Sequence, residues 1–149
     1  MLSDLNAIAD ETFRINVNAG FEDEALDLHA PFLVPDGEVA EWDQKDVRNL
    51  RNFQITKLAL IIGEVSEAIE ELRKGKPVTE TYYNTTLTPL EILTSSEVQK
   101  PEGVPSELAD IIIRTINFAR SEGIDIVAAI NEKAAYNATR AKMHGDKVV

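Results

Sequence analysis

The sequence predicts an all-α domain, and three observations lead to that fold class. Apolar residues recur at intervals of three and four along 53–74 and again along 105–122, which is the period of a helix with one apolar face. A third segment, 126–142, shows a similar period. The last two of these segments follow one another closely, as in a bundle whose helices are joined by short turns at its C-terminal end. The length of 149 residues suits a single domain, 1–149, with one sizeable core.

The N-terminal segment, 3–42, is predicted to be a helix followed by an irregular stretch. Ser3 is a candidate N-cap, and Gly20 fits the position just beyond the helix end. The apolar face of this helix is imperfect and comprises Leu5, Ile8, Ala9, Phe13 and either Ile15 or Val17. Trp42 has two interpretations, since an indole can cover the core or border a ligand pocket where it stacks on a base.

The central helix, 46–74, combines an apolar stripe with a row of acids. The stripe is expected to pack on the core and comprises Leu58, Ile62, Val65, Ile69 and Leu72. Beside it stand Glu64, Glu67 and Glu71, at spacings of three and four that stack like charges on one face. Such repulsion costs about a few tenths of a kcal/mol in an exposed helix and more when buried, so a cation is expected to offset it. Basic residues in the last turn and Gly75 favour an end there.

Residues 76–105 have no clear period and are predicted to be an insertion loop. TETYYNTTL is strand-like in composition, and PLEIL is compatible with a turn of helix. A loop of this length is uncommon in a compact domain unless it is functional. It is a candidate lid over the base or sugar of a ligand, an oligomer contact or a substrate filter, with Tyr82 and Tyr83 as candidate stacking groups.

Two more helices are predicted at 106–122 and 125–142. The first has an apolar face of Leu108, Ile111, Ile112, Ile116 and Ala119, while Glu107, Asp110 and Arg114 fall within a ~60° arc on another face. Asp125 is placed to cap the second. On that helix the residues expected to face inward are Val127, Ala128, Ile130 and Ala134, and those expected to project together are Lys133, Asn137 and Arg140.

The composition excludes several functional classes. The 15 Lys and Arg residues face 26 Asp and Glu residues, and the formal net charge of −11 should repel nucleic-acid backbones and anionic membranes. With no cysteine and two histidines, disulfides, thiolate zinc sites, cysteine nucleophiles and histidine-rich metal sites are not expected. The acidic N-terminus does not resemble a signal peptide, and the longest apolar run, LALII, is too short to span a bilayer, so the cytoplasm is the expected location.

Two acidic pairs, Glu64-x-x-Glu67 and Glu107-x-x-Asp110, form the strongest candidate site. If their helices pack side by side, four carboxylates converge and require a partner, and carboxylate oxygens suit Mg²⁺ or Mn²⁺. Lys133 and Asn137 would supply a cation and an amide donor to phosphate oxygens. Each piece alone has a plainer interpretation, because E-x-x-E pairs and single basic residues are common on solvated helix faces. Their conjunction on apolar helices favours a site.

The order E-x-x-E, E-L-A-D and K-x-x-x-N resembles the MazG-like all-α nucleoside triphosphate pyrophosphohydrolases. ITKLALIIGEVSEAIEELRKG and ELADIIIRTINFARSEGIDI resemble the two metal-binding helices of that family, and EKAAYNATRAKMHGDK resembles its lysine–asparagine helix with a basic tail. The resemblance covers about 50–149 well and 3–42 loosely. It implies a MazG-like helical bundle with a long insertion loop between the metal-binding helices, because the connection at 76–105 is longer than is usual in the family.

The resemblance also implies Mg²⁺-dependent hydrolysis of an NTP or dNTP to a nucleoside monophosphate and pyrophosphate. The metal ligands would be Glu64, Glu67, Glu107 and Asp110. Phosphate binding would fall to Lys133 and Asn137, with Lys57, Tyr136, Arg140 and Lys147 assisting. A homo-oligomer, dimer or tetramer, is implied as well. Two alternatives stay open: an enzyme like phosphoribosyl-ATP pyrophosphohydrolase, or a non-catalytic helical protein that binds a nucleotide or metal.

Overall fold

The computed structural model describes residues 2–20, 43–84 and 99–139, with side chains from residue 7 onward. Over these ranges the chain is mostly helical, which confirms the all-α prediction. The elements in chain order are helix α1 (Leu2–Asn18), helix α2 (Gln44–Arg73), strand β1 (Tyr82–Tyr83), strand β2 (Pro101–Glu102), helix α3 (Val104–Ser121) and helix α4 (Ile126–Ala138). Trp42, Arg140, Lys147 and the middle of the predicted insertion, 85–98, lie outside the described residues.

The chain divides into two compact units, and the boundaries fall within α2 and α3. One unit comprises Met1–Val47 and Ile116–Val149, and the other comprises Arg48–Thr115. None of the helices in the described ranges combines the length and the apolar character needed to cross a bilayer.

In the first unit, α1 contacts α4 and small apolar side chains form the core. The buried residues of this core are Ala9, Ile116, Ala119 and Val127. The Arg120 guanidinium donates a hydrogen bond to the Asp10 carboxylate, which links α3 to α1. Asp125 caps α4 as predicted, because its Oδ1 accepts from the Ala128 amide at 2.9 Å. The expectation that α4 buries a broad apolar face was wrong: Val127 is buried, whereas Ala128, Ile130 and Ala134 are exposed.

In the second unit, the predicted apolar stripe of α2 is exposed, so its assignment to the core was wrong. The stripe residues retain between 42% and 67% of their exposure: Leu58, Ile62, Val65, Ile69 and Leu72. The buried residues of α2 are instead Phe53, Glu64 and Glu71, at helical spacings of eleven and seven that define another face. Apolar spacing identifies a face that could be buried, but the carboxylates of this helix found polar partners inside the unit and their face turned inward. On α3, Leu108 and Ile112 are exposed as well.

Helix α2 ends at Arg73, one residue before the predicted end, and Gly75 just beyond it adopts a left-handed conformation with φ of +80°. The Gly75 amide donates to the Leu72 carbonyl at 2.9 Å, and the Lys76 amide donates to the Glu71 carbonyl at 3.2 Å. This pair of bonds satisfies two terminal carbonyls of the helix and turns the chain away from its axis.

The predicted insertion contains a short ribbon, and its first strand, β1, lies in the TETYYNTTL segment whose composition is strand-like. Strands β1 and β2 pair antiparallel, with Tyr82 opposite Glu102 and Tyr83 opposite Pro101. Helix α3 follows β2 after Gly103 alone, so it begins at Val104 and not at the predicted residue 106. Gly103 has φ of +103°, and a Cβ atom there would lie 2.4 Å from the Glu80 carbonyl oxygen. Only glycine therefore lets the ribbon approach the start of α3 this closely.

Candidate metal centre

Three carboxylates from the two predicted metal-binding helices meet in the second unit. Glu64 on α2 and Glu107 and Asp110 on α3 each offer an oxygen, and these three oxygens lie within 4.8 Å of one another. An octahedral Mg²⁺ ion with bonds of about 2.1 Å would hold its ligand oxygens roughly 3 to 4 Å apart. Small side-chain rotations would bring the three carboxylate oxygens from their present separations to those of metal ligands. Glu64 and Glu107 are buried and Asp110 is half-buried, so the oxygens are partly shielded from water.

The backbone around the ribbon holds Glu107 at its place in this cluster. The Glu107 and Ser106 amides donate to the Gly103 carbonyl at 3.2 and 2.9 Å, which closes the first turn of α3. The Ser106 hydroxyl donates to the Pro101 carbonyl at 2.9 Å and ties that turn to β2. Since Asp110 follows Glu107 by three residues, the helix presents both carboxylates on one face.

Glu67, the fourth predicted ligand, lies at the edge of the cluster. Its side chain is exposed, and the set of three oxygens that approach one another does not include it. It is nevertheless close enough to act on Glu107 through its charge. The described structure therefore brings three of the four predicted acids together and leaves the fourth beside them, open to solvent.

The cluster raises the pKa of Glu107 above the usual carboxyl value. The largest cause is burial, which disfavours the charged form, followed by the negative charges of Glu67, Glu64 and Asp110. A divalent cation would reverse the electrostatic part of this penalty, and a set of carboxylate oxygens fits a hard ion. The residues present are thus compatible with Mg²⁺ or Mn²⁺.

Arg114 supplies a positive charge that the prediction of site residues missed. Its Nε atom donates to Glu64 Oε1 at 2.6 Å, and the Glu64 side chain retains only 8% of its exposure against 42% for Arg114. The signal was present in the sequence, because Arg114 shares the arc of α3 that carries Glu107 and Asp110. Lys100, beside β2, is also within electrostatic range of Glu107 and Glu67.

Glu71, which stands in the same row of acids on α2, belongs to a separate polar network. It accepts hydrogen bonds from Lys74 Nζ at 2.7 Å and from the Tyr82 hydroxyl at 2.8 Å. The Lys74 hydrogen bond, followed by that of Tyr82, lowers the pKa of Glu71. Lys76 Nζ lies 3.9 Å from the centroid of the Tyr82 ring. Tyr82 therefore anchors the ribbon to α2, whereas Tyr83 is exposed.

The predicted phosphate-binding residues lie on α4, in the first unit. Lys133, Tyr136 and Asn137 are exposed, and Lys133 Nζ is 5.3 Å from the centroid of the Tyr136 ring. Lys57, on α2 in the second unit, is half-buried with its Nζ 5.0 Å from the centroid of the Phe53 ring. These side chains remain candidates for a substrate interaction.

Comparison with protein-family models, with curated proteins and with solved structures gives no match to this chain.

Proposed function

We propose that this protein is a nucleoside triphosphate pyrophosphohydrolase that requires Mg²⁺, with Mn²⁺ as a possible substitute. It would hydrolyse an NTP or dNTP between the α and β phosphorus atoms to a nucleoside monophosphate and pyrophosphate, in the cytoplasmic nucleotide pool. The observation that carries the proposal is the meeting of Glu64, Glu107 and Asp110, two of them buried. The motif order on these helices and on α4 supports the MazG-like assignment of the fold.

Each group of residues has a distinct role in the proposed reaction. Glu64, Glu107 and Asp110 hold the ion, which when bound would stabilise negative charge developing on the phosphates and make a water molecule more acidic. Glu67, which is exposed beside the cluster, would orient or deprotonate the attacking water. Lys133 and Asn137 bind phosphate oxygens. Tyr136, Lys57, Arg140 and Trp42 are the remaining candidates for contacts with the substrate.

The exposed stripe of α2 supports a homo-oligomer, either a dimer or a tetramer. Its five aliphatic side chains, together with Leu108 and Ile112 of α3, leave apolar surface in contact with water. Exposed apolar surface of this kind favours association of chains. Sedimentation equilibrium tests this part: Ile62→Glu should shift the mass toward the monomer, whereas Val78→Glu, outside the stripe but also at an exposed apolar residue, should leave it unchanged.

A non-catalytic protein that binds a nucleotide or metal is the second candidate. The ion pair between Arg114 and Glu64 favours it, because a guanidinium already neutralises part of the acidic cluster. This candidate and the enzyme differ in turnover, since the binding protein would retain nucleotide without releasing pyrophosphate.

The decisive experiment is a product-resolved screen of canonical and modified NTPs and dNTPs with Mg²⁺, followed by ³¹P NMR. The enzyme should give monophosphate and intact pyrophosphate, with orthophosphate appearing only after an inorganic pyrophosphatase is added. Glu107→Gln should be inactive, whereas Glu11→Gln, at an exposed acid of α1, should keep the wild-type rate. Nucleoside diphosphate with free orthophosphate, formed without the helper enzyme, would refute the assignment.

A further inference from the structure

The contact between Arg114 and Glu64 places a cation on a carboxylate that a metal ion would also use. Arg114 Nε lies 2.6 Å from Glu64 Oε1. Glu64 is one of the three residues whose oxygens converge, and it is the only one of them contributed by α2. The guanidinium therefore contacts the cluster at the carboxylate from α2, which brings the two helices together there.

The position of Arg114 allows it to leave Glu64 without leaving the site. It follows Asp110 by four residues and Glu107 by seven, so the three side chains share one face of α3. Its side chain retains 42% of its exposure, whereas that of Glu64 retains 8%. A long, partly solvated arginine on a helix can change partner by rotation about its side-chain bonds.

Two cations on the same carboxylate repel each other. A divalent ion bound to Glu64 would lie about 2 Å from one of its oxygens. Since Arg114 Nε is 2.6 Å from Oε1 of the same carboxylate, the two positive charges would be only about 4 to 7 Å apart. Even with water-like screening, repulsion at that distance weakens metal binding on the order of tenfold. The guanidinium is also well suited to a phosphate oxygen, with which it forms two parallel hydrogen bonds.

We propose that Arg114 is an exchangeable counter-cation of the metal centre: it neutralises Glu64 in the metal-free protein and moves to a phosphate oxygen when the metal and a polyphosphate bind. The first half concerns the metal-free state and is independent of any reaction. The second half rests on the proposed function, because it requires a triphosphate as the ligand.

The metal-free half is tested by titrating Mn²⁺ alone into the protein by calorimetry. Arg114→Gln removes the positive charge and should tighten Mn²⁺ binding on the order of tenfold. The matched control is Arg73→Gln, which also removes an arginine in an ion pair with a glutamate but lies nine residues from Glu64 along α2, about 13 Å. Arg73→Gln should leave the affinity within about twofold of the wild type. Unchanged or weaker Mn²⁺ binding in Arg114→Gln would overturn the inference.

The second half uses inorganic tripolyphosphate as the probe, titrated at saturating Mn²⁺. Arg114→Gln should bind it on the order of tenfold more weakly, whereas Arg73→Gln should match the wild type. Equal affinity in Arg114→Gln and the wild type would refute the exchange. If no nucleotide is hydrolysed but Arg114→Gln still tightens Mn²⁺, the proposed function fails while the counter-cation role stands.

A second variant covers the case in which Arg114→Gln does not fold. Arg114→Lys keeps the charge and should hold Mn²⁺ affinity within about twofold of the wild type, but an ammonium lacks the planar fork and should bind tripolyphosphate more weakly. Mn²⁺ binding by Arg114→Lys that is tightened on the order of tenfold would contradict a role based on charge.

Discussion

The sharpest test of the fold around the metal centre is to replace three glycines of the second unit, in turn, by alanine. At Gly103 the added Cβ would lie 2.4 Å from the Glu80 carbonyl oxygen, and φ is +103°. At Gly75 φ is +80° but no atom lies within 4 Å of the added Cβ. Gly63 lies in the middle of α2 with open space around it. The alanine substitution therefore meets backbone strain and a clash at Gly103, backbone strain alone at Gly75, and neither at Gly63.

The expected changes in the free energy of unfolding follow from these environments. Gly63→Ala should stabilise by about 1 kcal/mol, which is the difference in helix propensity. Gly75→Ala should destabilise by about 1 to 2 kcal/mol, the cost of a left-handed conformation for an L-residue. Gly103→Ala should cost about 3 kcal/mol or more, because overpacking against a backbone oxygen adds about 1 to 3 kcal/mol to the strain.

Urea unfolding followed by circular dichroism measures all three variants. The urea concentration at the midpoint of unfolding should decrease from Gly63→Ala through the wild type and Gly75→Ala to Gly103→Ala. The dependence of the free energy of unfolding on urea concentration should be unchanged. Gly103→Ala should also weaken Mn²⁺ binding, because the Gly103 carbonyl accepts the Glu107 amide, whereas Gly75→Ala should not. The reasoning is refuted if Gly103→Ala costs no more stability than Gly75→Ala.

Three further predictions address charge, substrate and the insertion. Burial and the neighbouring acids raise the folded-state pKa of Glu107, so between its usual pKa and the raised one the folded metal-free protein binds more protons than the unfolded chain. Its free energy of unfolding should therefore fall as pH rises from about 4.5 through the raised pKa. Glu107→Gln should flatten that slope in pH-dependent urea melts, and an unchanged slope would contradict the assignment. Lys133→Ala should lower kcat/KM on the order of a hundredfold without changing Mn²⁺ affinity, and wild-type turnover would remove this residue from the site. Shortening 85–98 should alter the ranking of bases more than the metal dependence, and an identical ranking in a nucleotide panel would favour a role in assembly instead.

The features that the sequence predicted correctly are mostly local ones, such as helix ends and the direction of side chains on one helix. The glycine at 75 and the acid at 125 fixed a helix end and a helix start through bonds to near neighbours, which single residues determine. The i,i+3 spacing of Glu107 and Asp110 likewise aims both carboxylates one way whatever lies around them. Predictions of this kind depend on a few residues of chain and hold without tertiary information.

What depends on tertiary pairing could not be predicted in the same way. The period of Leu58 and Ile62 marks a stripe but not what covers it, and here the face that carries Glu64 turned inward. Glu64 is tolerable there because Arg114 reaches it from a helix fifty positions later. Glu71 accepts a hydrogen bond from Tyr82 instead of joining the cluster. That pairing could not be predicted, because a strand of two residues is too short to show a periodic pattern in the sequence.

The ribbon of β1 and β2 has a consequence for insertions into this chain, whether by evolution or by design. Since β1 and β2 are hydrogen-bonded partners, Tyr83 lies opposite Pro101, and the ribbon sets the separation between the end of β1 and the start of β2. The register of this pair, which Gly103 and the start of α3 follow, is set by hydrogen bonds between the two strands themselves. Each doubling in length of a flexible segment costs only about 0.6 kcal/mol of closure entropy. Sequence inserted between Tyr83 and Pro101 is therefore expected to leave the pairing of β1 with β2 unchanged, and with it the geometry of Glu107 and Asp110.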